Sequence, residues 1–259
     1  MNKRIEPELA AARVEKVRRI LTERPIVSVA DLSRDLQVSP ATIRRDLRTM
    51  ERARLVRRVH GGAIASDSRL TEPLFDDKTS LATNEKHRIA RKALTFIKPR
   101  DSIFLDGGST VLTLAGLLQG MTDVTVVTNS LRVVMCLSGA GPRVILVGGE
   151  FRRLSQTFVG SLSSGILDRL HLDTAFMGTI GLSAAEGMTT TDPREAFTKE
   201  QVISHARQVI LLADGTKVGN ISFVRFGSVE NVNVLITDSG APRRELDRIK
   251  KRGVRLVIG

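Results

Sequence analysis

Apolar residues recur at three- and four-residue spacing through the first fifth of the chain and in short continuous runs through most of the rest. Val14, Val17, Ile20 and Leu21 give one inward stripe on a helix from about Pro7 to Glu23, which Pro25 ends. Leu32 and Leu36 make a second stripe. Ser28 caps that helix, and Asp31 three residues on is an acidic variant of the capping box. Ile43, Leu47 and Met50 make a third, with Ser39 as N-cap and Pro40 at the first helical position. Val27 with Leu32, and Val38 with Ile43, have the spacing of hydrophobic staples. After Met50 the period changes to two. Alternation around Gly61-Gly62, returning to Ala63-Ile64, predicts a small β-hairpin.

The polar side of the third helix carries the first functional signal. With Ile43 facing inward, and successive residues turning about 100°, Ala41, Arg45, Arg48 and Arg52 fall near the opposite side, with Thr42 and Arg44 on the flanks. A solvated basic helix is the ordinary explanation for such a face. The capped helix just before it, joined through Gln37-Val38, favours a helix-turn-helix over about residues 27–46, with the hairpin as its wing. Small and hydroxyl-bearing residues at the start of the helix suit close approach to base edges in a major groove, and the arginines suit phosphates or guanine. Ser39, Thr42 and Arg44 are therefore the candidates for base-edge or first-turn phosphate contacts. Arg45, Arg48, Arg57 and Arg58 are candidates for backbone anchoring, and His60 on the wing stands with them.

Residues 1–66 are read as this winged domain and residues 67–84, rich in Ser, Thr, Asp and Pro, as a linker. From 85 to 259 the pattern alternates helices with Val/Ile/Leu runs. A helix is expected over Glu85–Ile97. Strands are expected at Ser102–Leu105, Val124–Thr128, Arg143–Val147, Thr174–Met177, Gln208–Leu212, Val232–Thr237 and Val254–Ile258. Further helices are expected around Thr110–Leu118, Leu131–Leu137, Leu162–Leu170, Pro193–His205 and Pro242–Lys250. Continuous apolar strands separated by helices predict an α/β domain with a mostly parallel sheet covered on both faces.

Charge sharpens the division. The formal net charge is +12, and residues 1–66 hold 15 Lys and Arg against 8 Asp and Glu, while the other 193 hold 25 against 20. A basic first domain facing a polyanion, joined to a domain with another task, fits that asymmetry. The single cysteine, Cys136, excludes an internal disulfide framework and agrees with a reducing cytoplasm. No apolar run is long enough to span a bilayer, so no membrane partner is expected.

In parallel sheets ligands bind beyond the carboxyl ends of the strands. The first strand runs through Asp106-Gly107-Gly108-Ser109-Thr110 directly into a helix, where glycines, hydroxyls and free N–H groups make a cradle for a small phosphate. A tight strand-to-helix turn is the plainer alternative; it is neither a Walker loop nor a dinucleotide fingerprint. Later strands end in Thr128-Asn129-Ser130, in Gly148-Gly149-Glu150, in Gly178-Thr179-Ile180-Gly181 and in Asp214-Gly215-Thr216-Lys217. Each is weak alone. Together they suit a pocket for a phosphorylated polyol.

The run Val38-Ser39-Pro40-Ala41-Thr42-Ile43-Arg44-Arg45-Asp46-Leu47, followed by Arg58-Val59-His60-Gly61-Gly62-Ala63, resembles the DeoR family of bacterial transcriptional regulators. The resemblance continues through Glu85-Lys86, Leu105 to Thr110, Val127 to Ser130, Gly148-Gly149-Glu150, Val159-Gly160, Phe176-Met177-Gly178 and Asp214 to Lys217. It implies an effector domain similar to sugar-phosphate isomerases of the ribose-5-phosphate isomerase kind, and a repressor that leaves DNA when a phosphorylated sugar binds. It further implies a phosphate at Gly107–Thr110 and effector contacts near Thr128–Ser130 and Asp214–Lys217. Lys78 stands where the family commonly has Arg, and Gly215-Thr216 replaces a more usual Ser-Ser.

Two other functions compete with this one. Isomerase activity needs a base near the bound sugar. Asp106, Glu150, Asp214 and Lys217 are its pocket candidates, while His60, His87, His171 and His205 do not cluster with them in sequence. A nonspecific DNA-packaging role leaves the large α/β domain unexplained. The expectation is a DNA-binding regulator, not an enzyme, with no cofactor and no metal. Its partners are an operator duplex, a phosphorylated sugar and at least one further copy of itself, as a dimer or tetramer.

Overall fold

The computed structural model describes residues 10–259 except 25, 54, 60, 66–71, 73, 74 and 140; for 10, 11, 22, 23, 26, 57, 59, 64, 65, 77 and 80 it describes the backbone alone. Pro7, Pro25 and His60 lie outside the described residues, as does the side chain of Arg57. The chain divides into two compact units, Met1–Leu81 and Ala82–Gly259.

The first unit holds α1 (Ala10–Glu23), β1 (Ile26–Ser28), α2 (Val29–Leu36), α3 (Pro40–Arg52), β2 (Val56–Val59) and β3 (Gly62–Ala65). The caps lie where the sequence puts them. Ser28 Oγ accepts the Asp31 N–H at 3.0 Å and donates to the Asp31 carboxylate at 2.7 Å. Ser39 Oγ accepts the Thr42 N–H at 3.2 Å, with Pro40 opening α3. Val17, Leu21, Val27, Leu32, Ile43, Leu47, Met50 and Val56 form one core. The wing is more than a hairpin: β1 pairs with β3, making an antiparallel sheet of order β1-β3-β2. The two glycines divide the work. Gly61 takes φ +84°, whereas a Cβ on Gly62 would stand 2.2 Å from the Val27 carbonyl oxygen, so only glycine lets β1 approach. The segment read as a linker contains α4 (Phe75–Ser80), with Phe75 buried and Lys78 paired to Glu72 at 2.8 Å.

The second unit is built on seven parallel strands: β4 (Ser102–Leu105), β5 (Thr125–Thr128), β6 (Arg143–Leu146), β9 (Leu172–Met177), β12 (Ala206–Leu212), β14 (Val234–Thr237) and β15 (Arg255–Ile258). All seven coincide with the expected runs to within a few residues. Their order is β15-β14-β12-β9-β4-β5-β6, so the first strand of the unit lies inside the sheet and the chain winds outward from it in both directions. Successive strand residues alternate between two cores. Ile103, Leu105, Phe176, Ile210 and Ile236 pack with α5 (Thr83–Leu94), α6 (Ser109–Leu117) and α7 (Leu131–Leu137). Phe104, Ala175, Met177, Leu211 and Leu235 pack on the other face, with α8 (Ser164–Leu167), α9 (Pro193–Ser204) and α10 (Arg243–Lys251). Both faces are covered, which is why the strands read as unbroken apolar runs.

Three features were not foreseen. β7 (Glu150–Arg152) and β8 (Thr157–Val159) form an antiparallel hairpin after β6. β10 (Gly181–Ser183), β11 (Gly187–Thr190) and β13 (Val224–Gly227) form a small sheet. The helix expected over Leu162–Leu170 is a 3-10 turn at Ser161–Ser163 followed by the four-residue α8. Ser161, Ser163, Ser164 and Gly165 compete with or weaken helical hydrogen bonding, and the propensity falls short there.

Candidate functional site

The described candidate residues lie on two surfaces. On α3, the apolar stripe is buried, and Ser39, Arg44, Arg45 and Arg48 are exposed, with Thr42 half-buried. Ser39 Oγ and Thr42 Oγ1 lie 2.9 Å apart, so the two hydroxyls at the start of the helix hold each other as well as the cap. The guanidinium groups of Arg44, Arg45 and Arg48 have no acidic partner among the described residues. Arg58 differs from them. Its backbone N–H donates to Glu51 Oε1 at 3.2 Å, and its guanidinium stands 3.8 Å from Glu51 Oε2, which ties the wing to the end of α3.

Asp46, on the same helix, points the other way. It is buried and accepts two bonds from Arg13 of α1, Nε to Oδ2 at 2.5 Å and the guanidinium to Oδ1 at 3.0 Å. The motif that contains Asp46 gives no sign of its partner Arg13. The available signal was its spacing: Asp46 lies three residues after Ile43 and four before Met50, on the inward stripe.

The second surface lies at the carboxyl ends of the parallel strands. The chain leaves β4 on one side toward β5 and β6 and returns to the other at β9, so the winding reverses between β4 and β9. That reversal opens a crevice in doubly wound sheets. Gly107-Gly108 and Gly178 meet there: a Cβ on Gly108 would lie 3.6 Å from Gly178 Cα, and one on Gly178 3.4 Å from Asp106 Oδ2. Gly108 is the N-cap of α6 and has no side chain with which to cap it, which leaves the first-turn N–H groups of Ser109 and Thr110 and the positive helix end facing this point.

Gly148, Thr128–Ser130, Asp106–Thr110 and Asp214–Lys217 follow β6, β5, β4 and β12, so the sheet gathers them along one edge. Their surroundings differ. Gly148 has open space beside it. Thr128 is fully enclosed; its hydroxyl donates to the Leu105 carbonyl at 2.6 Å and accepts the Ser130 N–H at 3.1 Å, so it holds two turns together. Ser130 caps α7 through the Val133 N–H at 3.3 Å. Asn129 donates to the Phe158 carbonyl at 2.9 Å. Asp214 is buried and accepts both the hydroxyl and the N–H of Thr216. Burial pushes its carboxyl up, but Lys217, Thr216 and Lys86 outweigh that and leave it below the ordinary carboxyl value.

Asp106 is also occupied. Its Oδ2 accepts the Gly178 N–H at 2.8 Å and pairs with Lys199 of α9, whose ammonium reaches the Gly178 carbonyl at 3.1 Å. Lys199 further approaches Glu195 at 3.7 Å, and Arg152 of β7 approaches Glu195 at 3.5 Å and Asp192 at 3.1 Å. This chain of buried charges was not anticipated. The sequence carried a trace of it: Glu195, Lys199 and Val202 share one helical stripe, an inward face interrupted by charges.

Residues 81–239 match the DeoR C terminal sensor domain, and residues 13–69 match the DeoR-like helix-turn-helix domain. The chain is 34% identical over 251 residues to the HTH-type transcriptional regulator GlpR of Haloferax volcanii, covering 97% of this chain and 98% of that one. It is 33% identical over 224 residues to the Glycerol-3-phosphate regulon repressor of Escherichia coli K12, covering 86% and 88%. Ribose 5-phosphate isomerase A of Methanocaldococcus jannaschii aligns with 52% of this chain and 54% of its own at 17% identity, with a TM-score of 0.40. With a helix-turn-helix unit followed by a sensor unit, and with relatives of this identity along nearly its full length, the chain belongs to the DeoR family of DNA-binding transcriptional regulators.

Proposed function

We propose that this regulator is a repressor of a carbohydrate operon that releases its operator when a phosphorylated sugar or polyol binds the sensor unit. The observation that carries the reading is the uncapped N-terminus of α6 at the reversal between β4 and β9, a place where an anion meets N–H groups and a helix dipole together. Relatives named for a glycerol-3-phosphate regulon and a lactose phosphotransferase system support the effector class. On this reading Gly107–Thr110 take the phosphate, and Ser130, Gly148 and the Asp214–Lys217 loop face the carbon chain. Asp106 is held by Lys199 and Gly178 and is spoken for as a base, so the unit binds its ligand without turning it over.

Ser39, Thr42 and Arg44 read base edges or nearby phosphates, and Arg45, Arg48, Arg57, Arg58 and His60 anchor the backbone. The active species is a homo-oligomer that presents two such heads to repeated half-sites. Thermal-shift measurements on the full chain against a panel of aldose, ketose and polyol phosphates test the sensor half. At least one should raise the melting temperature and release an operator fragment. A panel that leaves both unchanged overturns the effector assignment.

A further inference from the structure

The β7–β8 hairpin lies against the turn assigned to the phosphate, and its attachments are unusual. A Cβ on Gly107 would stand 2.0 Å from Thr157 Cγ2, so the threonine methyl fills the space that the missing side chain leaves. Thr157 forms a bridge with Ser130, the Phe158 N–H donates to the Asn129 carbonyl at 2.8 Å, and the Leu131 N–H donates to the Gln156 carbonyl at 3.1 Å. On its other side the hairpin is held by Arg152, which reaches Asp192, the N-cap of α9, and Glu195 in its first turn. Ser155 and Thr157, 2% and 1% exposed, place their hydroxyls 2.7 Å apart beside the turn, and the buried Oδ1 of Asn129 has no hydrogen-bond partner among the described residues. Phe151 is 40% exposed, and Val159 alone anchors the hairpin by an apolar side chain that is fully buried. Both ends of the hairpin are glycines in left-handed space, Gly149 at φ +153° and Gly160 at φ +95°.

Hydrogen bonds and ion pairs that open into solvent are replaced by bonds to water, whereas exposed apolar surface gains no such partner. A segment fixed chiefly by hydrogen bonds and ion pairs, with a glycine at each end, is thus the part of the sheet rim that separates most readily from the core. We propose that residues 150–159 are a strap across the effector turn: it lifts as a unit about Gly149 and Gly160 and closes when Thr157 seats against Gly107. Thr157 is then a specificity-determining residue, because a ligand on the Gly107–Thr110 turn lies beneath its hydroxyl, Ser155 and the Asn129 Oδ1. The enclosure rests on the phosphate reading above; the separate lifting of the hairpin does not.

Hydrogen exchange on the full chain tests both parts. Amides of 150–159 should exchange together and faster than those of β4, β5 and β9. Thr157→Ser removes the seated methyl and should speed that exchange by about tenfold without changing the core strands. Gly107→Ala should do the same by collision, and the Gly107→Ala/Thr157→Ser double variant should slow exchange again, because the colliding atom is gone. Inorganic phosphate should slow hairpin exchange in the wild type. If the hairpin exchanges only in step with β4 and β5, the strap is overturned. If sugar phosphates raise the melting temperature while neither they nor inorganic phosphate alter hairpin exchange, the enclosure fails and the effector reading stands. If no phosphate compound has either effect, both fail.

Discussion

Arg13 and Asp46 grip each other through two hydrogen bonds in the core between α1 and α3, each only about 5% exposed. The pair joins α1 to the same inward face of α3 that buries Ile43, Leu47 and Met50. Removing one partner of a buried pair leaves the other charge uncompensated, at a cost of about 3–5 kcal/mol. Asp46→Asn is therefore expected to unfold the first unit at lower urea concentration and to weaken operator binding. A double Arg13→Met/Asp46→Leu variant should regain much of the stability. If it also binds operator as the wild type does, the pair matters for stability alone.

Arg45 and Arg48 stand exposed without acidic partners among the described residues, as phosphate anchors should. Each contact with a phosphate contributes roughly 0.9 to the slope of log affinity against log salt. Arg45→Ala should weaken binding to all sequences and flatten that slope by about one contact. A filter-binding titration from low to moderate salt reads this directly, and an unchanged slope would remove Arg45 from the anchors.

Gly62→Ala is expected to be costly for a reason that composition does not show. Its Cβ would collide with the Val27 carbonyl oxygen at 2.2 Å, and that atom is backbone. β1 and β3 must part or shift, which should lower the thermal stability of the winged unit and its operator affinity together. Gly61→Ala meets open space and carries only the left-handed backbone cost of about 1–2 kcal/mol, so it should be the milder of the two. Reversal of that order in thermal melts would contradict the three-stranded wing.

The Asp106–Lys199 pair should behave as a coupled unit. Asp106→Asn or Lys199→Met singly should cost several kcal/mol, about 3–5 by analogy with other buried pairs. The double variant should cost less than the sum, with a coupling of about 1–3 kcal/mol. Additive losses in chemical denaturation would show that the two groups stabilise the crevice independently.

Acid sensitivity should track α9. The Asp192 carboxyl is held well below the ordinary carboxyl value, first by the Arg194 side chain, then by the Arg194 N–H and Arg152, against a burial penalty. A carboxyl depressed in the folded state stabilises fully above its unfolded value near 4, and that stabilisation fades as pH falls below it. Asp214 acts in the same direction. Asp192→Asn should lower the melting temperature at pH 7 and make it less dependent on pH between about 5 and 3. Parallel curves for the two proteins across that range would exclude Asp192 as a source of the acid sensitivity.

The regular elements were legible because each obeys one period: Ile43, Leu47 and Met50 for α3, and the Val/Ile/Leu runs for the parallel strands, which need apolar residues on both faces. Caps at Ser28 and Ser39 were legible because a cap is local. What escaped was non-local. β1 pairs with a strand more than thirty residues away, and its three residues carry no period. The β7–β8 hairpin and the small β10-β11-β13 sheet are equally short. Of the candidate site, the Gly107–Thr110 turn is legible by composition, while Arg13, Arg152, Glu195 and Lys199 gain their contacts from partners 33 to 93 positions distant.

The strand order has a consequence for how the molecule is made. β4 is synthesised first of the seven strands, yet one of its two neighbours, β9, leaves the ribosome some seventy residues later. Until then β4 has an open flank, whereas every element of the winged unit lies upstream and is already synthesised. A polysome therefore carries finished DNA-reading heads ahead of unfinished sensors, and any pause before residue 172 would lengthen the time for which that flank is exposed.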